Sequence, residues 1–312
     1  MVYLKYFIPI IKSLECQKEK SYFYTVESTK CSSPSNNMDV LKKICNEYNV
    51  EIKKNNCIEN CSGAMIMVEG TSGQILPKSL KRISMVALTD FTVLYESYVN
   101  IVDYIVFPSY FFAEYYKKKS DKNVYIGSPK YDVLIEEDVV RKKYNIFSEK
   151  NVLMVFPRNI YVHKIDLNKL YNFLKDKGYN IIVKTRAKDV VSKEFRGDWY
   201  YEDYSWFPHT TMELMTLCDF VINFDSTAIE ECVMMMRPLI NFHIKPKKQM
   251  DFLYNYKYCR DLNIKLNLKE VDSAINYLTN NNFIEEFKIS QKNHLFDKNG
   301  VADKIANFAL EV

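Results

Sequence analysis

Residues 217-LCDFVINFDSTAIEECVMMMRPLINF-242 place an apolar strand, a short polar turn, a helix and a second apolar strand one after another. Phe220-Val221-Ile222 reads as a strand buried on both faces, the pattern of a parallel sheet. The turn Asp225-Ser226-Thr227 follows, and its hydroxyls are suited to capping a helix whose interior begins near Ala228. A helix start also offers free backbone N–H groups and a partial positive charge, a setting that suits a phosphate. An ordinary αβ unit would use the same Ser and Thr as caps alone. The strand ends around the turn therefore carry the decision.

Upstream of this stretch, residues 151–156 and 179–184 read as strands with a helix over 167–177 between them, and Gly178 sits where a helix C-terminal cap belongs. Trp199 and Tyr200 belong to a short strand or loop, and 211–217 is a helix started by Thr210. The charged helix 136-EEDVVRKKYN-145 separates this run from an earlier one of the same kind. There, Tyr3, Leu4, Phe7, Ile8, Ile11 and Leu14 recur at helical spacing, and a strand over 21–26 follows. After the loop 31-CSSPSNN-37 comes a helix with Val40, Leu41 and Ile44 on one stripe, then a short strand over 50–52. Strands at 64–68, 83–88 and 104–107 and a helix over 111–116 complete the first half. Strands alternating with helices imply two doubly wound, parallel-sheet α/β domains, residues 1–135 and 136–312. The helical end, 283–312, is long enough to cross back onto the first domain.

The bulk properties are those of a globular protein with two cores: 312 residues, 47% hydrophobic, 26% charged. A net charge of +4 does not suggest a nucleic-acid partner. Seven glycines and nine prolines are few, and neither a G-x-G-x-x-G nor a Walker-type phosphate loop is present. The eight cysteines lack paired C-x-x-C spacing and read as reduced thiols of a cytoplasmic protein rather than a disulfide framework or zinc site. The opening MVYLKYFIPIIKSL is too short to span a bilayer and is interrupted by Lys5, Pro9 and Lys12. The lysines at 117–119 and Lys245, Lys247 and Lys248 are either solvated faces or a means of attracting an anionic acceptor or membrane surface.

Ligands of open parallel sheets bind beyond the carboxyl ends of the strands. In the second domain those ends are Pro157-Arg158-Asn159, Thr185-Arg186-Ala187-Lys188 and Asp225-Ser226-Thr227, with Glu230 and Glu231 one helical turn further on. Guanidinium, ammonium and N–H groups suit phosphates, and a carboxylate suits paired ribose hydroxyls, so the set reads as a nucleotide diphosphate site. His209, in 206-WFPHTTMEL-214, precedes a helix on the same side and is a further candidate contact. In the first domain Asp90 and Glu69 follow strands and are the candidate general bases, Asp90 preferred, although Asp90 could equally cap a helix.

The segments 152-VLMVFPRN-159, 181-IIVKTRAKD-189 and 217–242 resemble the carboxy-terminal domain of the GT-B superfamily. The nearest likenesses are the CDP-glycerol glycerophosphotransferases and the non-hydrolysing UDP-N-acetylglucosamine 2-epimerases, and 127-GSPKYD-132 resembles the segment that closes their first domain. The resemblance implies two Rossmann-like domains facing a cleft, phosphate contacts from Ser226 and Thr227, and a ribose contact from Glu231. It implies a metal-independent, nucleotide-sugar-dependent glycosyltransferase of glycan or surface-polysaccharide synthesis. Glycerophosphotransfer, epimerisation and nucleotide-sugar binding without catalysis are the alternatives. The donor, UDP-, CDP-, GDP- or CMP-linked, is then a substrate with no separate cofactor, and the acceptor a sugar, glycan or lipid-linked molecule. There are departures. All four histidines lie beyond residue 150, where the glycerophosphotransferases carry a first-domain histidine; Thr185-Arg186-Ala187-Lys188 stands where a His-Pro pair is expected; and Ser226-Thr227-Ala228 lacks the glycines of the epimerase turn.

Overall fold

Every strand pairing among the described residues is parallel, so paired strands are joined by crossovers rather than tight turns. The structure, a computed structural model, describes residues 4–25, 42, 45–46, 50–54, 61–68, 79–86, 99–109, 121–157, 163–186, 189–203, 209–243, 256–294 and 299–312. Glu69, Asp90, Arg158 and Lys188 lie outside these residues, as do most of the helices expected near 40–48 and 111–116 and both lysine clusters. Two compact units share the chain: one gathers Met1–Val133 and Lys292–Val312, the other is Leu134–Gln291.

The first unit opens with α1 (Leu4–Cys16), followed by a parallel pair, β1 (Tyr22–Thr25) with β2 (Glu51–Lys54). β3 (Gly63–Val68), β4 (Leu80–Met85), β5 (Tyr104–Phe107) and β6 (Asn123–Tyr125) then form a four-stranded sheet in chain order. β4 starts three residues before the strand expected from the sequence. Its polar opening, Lys81-Arg82, is accommodated because Arg82 Nε lies 2.9 Å from the Asp103 carboxylate, which this guanidinium holds below the usual carboxylate range.

The second unit holds α2 (Glu137–Tyr144), β7 (Asn151–Phe156), α3 (Leu167–Asp176), β8 (Asn180–Arg186), β9 (Trp199–Asp203) and α4 (Thr210–Thr216). It continues with β10 (Phe220–Asn223), α5 (Ala228–Met234), β11 (Leu239–His243), β12 (Cys259–Asn263), α6 (Leu268–Asn280) and α7 (Ile284–His294). Its six strands lie in the order β12-β11-β10-β7-β8-β9. β7 and β10 are buried along their whole length, as their unbroken apolar runs require of strands covered on both faces. The residue capping α4 is His209, not the expected Thr210. α3 ends in a Schellman motif around Gly178, at φ +79°, with Tyr179 N bonded to Leu174 O and Gly178 N to Lys175 O. α5 ends the same way around Met236, and its following residue, Arg237, donates to the Thr216 carbonyl at 2.9 Å. The Arg-Pro entry to β11 is thus a tie between α4 and the loop after α5.

The last helix, α8 (Val301–Glu311), returns to the first unit. Its Val301, Ala302, Ile305 and Ala306 share a core with Tyr6 and Ile10 of α1 and with Val68, Ile83, Met85 and Val106 of the sheet. The segment 127-GSPKYD-132 supplies its cap: Asp132 accepts from Gly300 N at 3.2 Å and from Ala302 N at 2.8 Å. No helix among the described residues is long and apolar enough to cross a membrane. Because a lost cap costs about 1 kcal/mol, Asp132→Ala is expected to lower the melting temperature, with Asp132→Asn intermediate. Thermal denaturation of the three proteins checks this, and unchanged melting would mean that the cap contributes nothing.

Candidate functional site

The order of the second sheet reverses between β7 and β10. The chain runs from β7 out to β8 and β9, then returns to β7's other side to lay down β10, β11 and β12. At such a reversal the connecting segments diverge and leave room beyond the carboxyl ends of the two central strands. Here those ends are Phe156-Pro157 and Asn223-Phe224-Asp225, flanked by Thr185-Arg186 of β8 and Phe242-His243 of β11.

The two faces of the sheet differ at this end. Alternation along each strand puts Phe156, Phe224 and Phe242 on one face, stacked at 4.5 and 5.7 Å between centroids. Thr185, directly opposite Phe156, belongs to that face; it is fully buried, and its hydroxyl lies 2.8 Å from the Tyr200 hydroxyl. Thr185, expected to contact the donor, spends its hydroxyl on a bond between two strands. The opposite face is polar. Asn223, Asn241 and Asp261 sit in register across β10, β11 and β12, linked by Asn223 Nδ2 to Asn241 Oδ1 (3.0 Å) and Asn241 Nδ2 to Asp261 Oδ1 (2.9 Å).

This ladder shapes the turn above it. Asp225 is left-handed, at φ +49°, and Asn241 holds it at two points: Asp225 N donates to Asn241 Oδ1 (3.1 Å), and Asn241 Nδ2 donates to Asp225 Oδ1 (3.2 Å). Ser226 Oγ accepts from Ala228 N at 3.1 Å, so the capping expected of the turn falls to Ser226. The same hydroxyl donates its proton to Asn223 Oδ1 at 2.6 Å, and a proton so committed is not available to a phosphate oxygen. Thr227 is exposed and its hydroxyl makes no cap bond. Neither Ser226 N nor Thr227 N has an acceptor among the described residues. Two free N–H groups after a left-handed residue form the kind of concavity that takes an anion. The helix dipole adds less than the sequence implies, because α5 is seven residues long and carries Glu230 and Glu231 in its own first turn.

Beside the turn lies a buried ionic cluster that the sequence did not reveal. Lys184 of β8 pairs with Asp203 of β9 at 2.6 Å, both side chains under 9% exposed. His209 Nε2 is 3.4 Å from the same carboxylate, and its Nδ1 is 3.5 Å from Glu231 Oε1. Glu231 and His209, expected to face a nucleotide, are thus enclosed and face one another. Arg186 is exposed at the end of β8 and makes no ion pair with any described residue. Two strand spacings separate β8 from β10, roughly 10 Å. The only signal for Lys184 was a charge inside an apolar strand, and for Asp203 none, since its partner is fifteen or more residues away in sequence. Burial pushes the Cys232 thiol well up, so this cysteine is a packing residue rather than a nucleophile.

No family model matches the sequence, and no curated protein matches it. Solved structures do match. The wall teichoic acid polymerase TagF has a TM-score of 0.64 at 14% identity, over 93% of this chain and 88% of that one. The UDP-GlcNAc 2-epimerase of Methanocaldococcus jannaschii has a TM-score of 0.63 at 12% identity, over 99% and 96%. The glycotransferase of kitacinnamycin has a TM-score of 0.57 at 9% identity, over 98% and 96%. The chain thus has a GT-B-like fold of two parallel-sheet α/β units, the architecture that its strand-end segments resembled.

Removing one member of a buried ion pair strands the other charge, at a cost of about 3–5 kcal/mol. Asp203→Ala is therefore expected to be markedly less stable to urea than the double variant Lys184→Met/Asp203→Leu, which removes both charges. Equal loss in the two would show that the pair is worth no more than its packing.

Proposed function

We propose that this chain is a nucleotide-sugar-dependent glycosyltransferase whose donor binds beyond β7 and β10. The observation that carries the reading is the Asp225-Ser226-Thr227 turn at the point of strand reversal, with the Thr227 hydroxyl, two N–H groups that have no acceptor among the described residues and, two strands away, an Arg186 guanidinium that makes no ion pair among them. These groups suit the diphosphate, joined by Arg158 and Lys188 from the neighbouring strand ends. Glu231, to which the resemblance gives a ribose contact, is enclosed beside His209 and is not among the groups that meet the donor in this reading. Two structures of the same fold support a ligand of this class: the H444N variant of TagF was solved after soaking with CDPG, and S. aureus MnaA with UDP.

Chemistry on the donor needs the leaving diphosphate stabilised, which positioned cations and N–H groups supply electrostatically. An inverting transfer needs a base as well, and Asp90 is the proposed one, with Glu69 second. Glycan or surface-polysaccharide synthesis and a cytoplasmic setting belong to the same proposal. The test is a thermal-shift and turnover panel with UDP-, CDP-, GDP- and CMP-linked donors. Transfer or donor hydrolysis supports the reading, an epimerised donor replaces it with the epimerase alternative, transferred glycerol phosphate with the glycerophosphotransferase one, and binding without turnover with the non-catalytic one. No shift with any nucleotide at millimolar concentration overturns it.

Within the site, Thr227→Val and Arg186→Ala are each expected to weaken donor binding about tenfold, the scale of one charge-assisted hydrogen bond. Ser226→Ala is expected to act mainly on stability, because its hydroxyl bonds inward. Isothermal titration beside thermal melting separates the two effects; a larger binding loss for Ser226→Ala than for Thr227→Val would reverse the roles.

A further inference from the structure

The side chain of Asn241 uses every hydrogen-bonding group it has. Its oxygen accepts from Asn223 Nδ2 and Asp225 N; its nitrogen donates to Asp225 Oδ1 and Asp261 Oδ1. The orientation of the amide is settled by its surroundings, since a flipped carboxamide would set N–H against N–H and oxygen against carboxylate. Asn241 is 1% exposed, so no solvent competes for these bonds. Two of the four go to one residue, Asp225, the residue in left-handed backbone. That conformation is disfavoured for a residue with a Cβ and persists where the surroundings hold it.

The consequence falls on the next two residues. With Asp225 held left-handed, the N–H groups of Ser226 and Thr227 follow in fixed directions. Ser226 is held from the other side by Asn223, which takes its proton at 2.6 Å and donates to its carbonyl at 3.1 Å. Asn223 is itself bonded to Asn241. Asp261 on the edge strand β12 anchors the far end. Five side chains, Asn223, Asn241 and Asp261 from three strands and Asp225 and Ser226 from the turn, therefore form one network whose centre is Asn241.

We propose that Asn241 is the positioning residue of the donor turn, holding Asp225 left-handed through an amide anchored on Asp261 so that the turn's N–H groups are set for phosphate before a nucleotide arrives. This rests on the nucleotide reading above. Asn241 touches no ligand; it acts through Asp225 and Asn223. Preorganisation of this kind raises affinity by removing the ordering that binding would otherwise require.

The experiment measures UDP and CDP affinity by isothermal titration, with a melting curve for each variant. Asn241→Asp keeps the shape and the acceptor oxygen but faces two carboxylates where it formerly donated. It is expected to lose at least tenfold in affinity. Asn241→Asp/Asp261→Asn restores a donor against the new carboxylate and is expected to recover to within about threefold of wild type, a rescue that general damage to the strand would not show. A second pair keeps the test open should Asn241→Asp fail to fold. Asp225→Gly and Asp225→Ala lose the same side-chain bond, but only glycine adopts the left-handed backbone freely. The glycine variant is expected to bind within about threefold of wild type, and the alanine variant at least fivefold more weakly than the glycine one. Unchanged affinity in Asn241→Asp, absent rescue in the double variant, or equal affinity in the two Asp225 variants overturns the proposal and leaves the nucleotide reading standing. If wild type binds neither nucleotide, both fall.

Discussion

β7 and β10 are covered on both faces, and this burial governs what the second unit can do with polar side chains. A polar group inside such a sheet has no water to bond and must be satisfied by its neighbours. Three sets of polar side chains there are. Asn223, Asn241 and Asp261 bond across three strands in register, Lys184 meets Asp203, and Thr185 meets Tyr200. Asn223, Lys184, Thr185 and Asp203 lie towards the carboxyl ends of their strands, so this polar frame borders the region where an open parallel sheet has its ligand space. Burial alone would give a stable sheet; burial with paired polar groups at one end gives a shaped rim.

That frame assigns different work to residues that look alike in the sequence. Ser226 and Thr227 are adjacent hydroxyls in one turn, yet one proton goes to Asn223 while the other hydroxyl stays at the surface. Thr185 and Arg186 are neighbours on β8, and alternation sends one into the aromatic face and the other outward. Glu231, placed by its motif to meet a ribose, is enclosed with His209. The site is best regarded as an outer set of N–H, hydroxyl and guanidinium groups resting on an inner set of amides and paired charges.

Much of the fold was legible because its signals are local. Unbroken apolar runs such as 151–156 and 220–222 mark buried strands wherever they occur, and Gly178 marks the end of α3 through its backbone alone. The start of β4 was missed because Lys81 and Arg82 look like loop residues until Asp103, more than twenty positions on, is known to hold Arg82. The site was legible to the extent that strand ends and a turn can be found by pattern. Its inner set was not, because nothing in the sequence says that Asn241 lies opposite Asn223 and Asp261, or that Lys184 reaches Asp203. Those are facts of register and crossover. Glu69, Asp90, Arg158 and Lys188, named from the same strand-end logic, lie outside the described residues.

Everything proposed for the second unit depends on a nucleotide binding beyond β7 and β10. Amide hydrogen exchange with and without saturating UDP or CDP tests it most directly, since the proposed contacts include backbone N–H groups. Slowed exchange is expected to concentrate on residues 225–231 and on the segment after β8, with the strands of the first unit unchanged. Protection confined to the first unit, or none in 225–231 under conditions where nucleotide is bound, would contradict it.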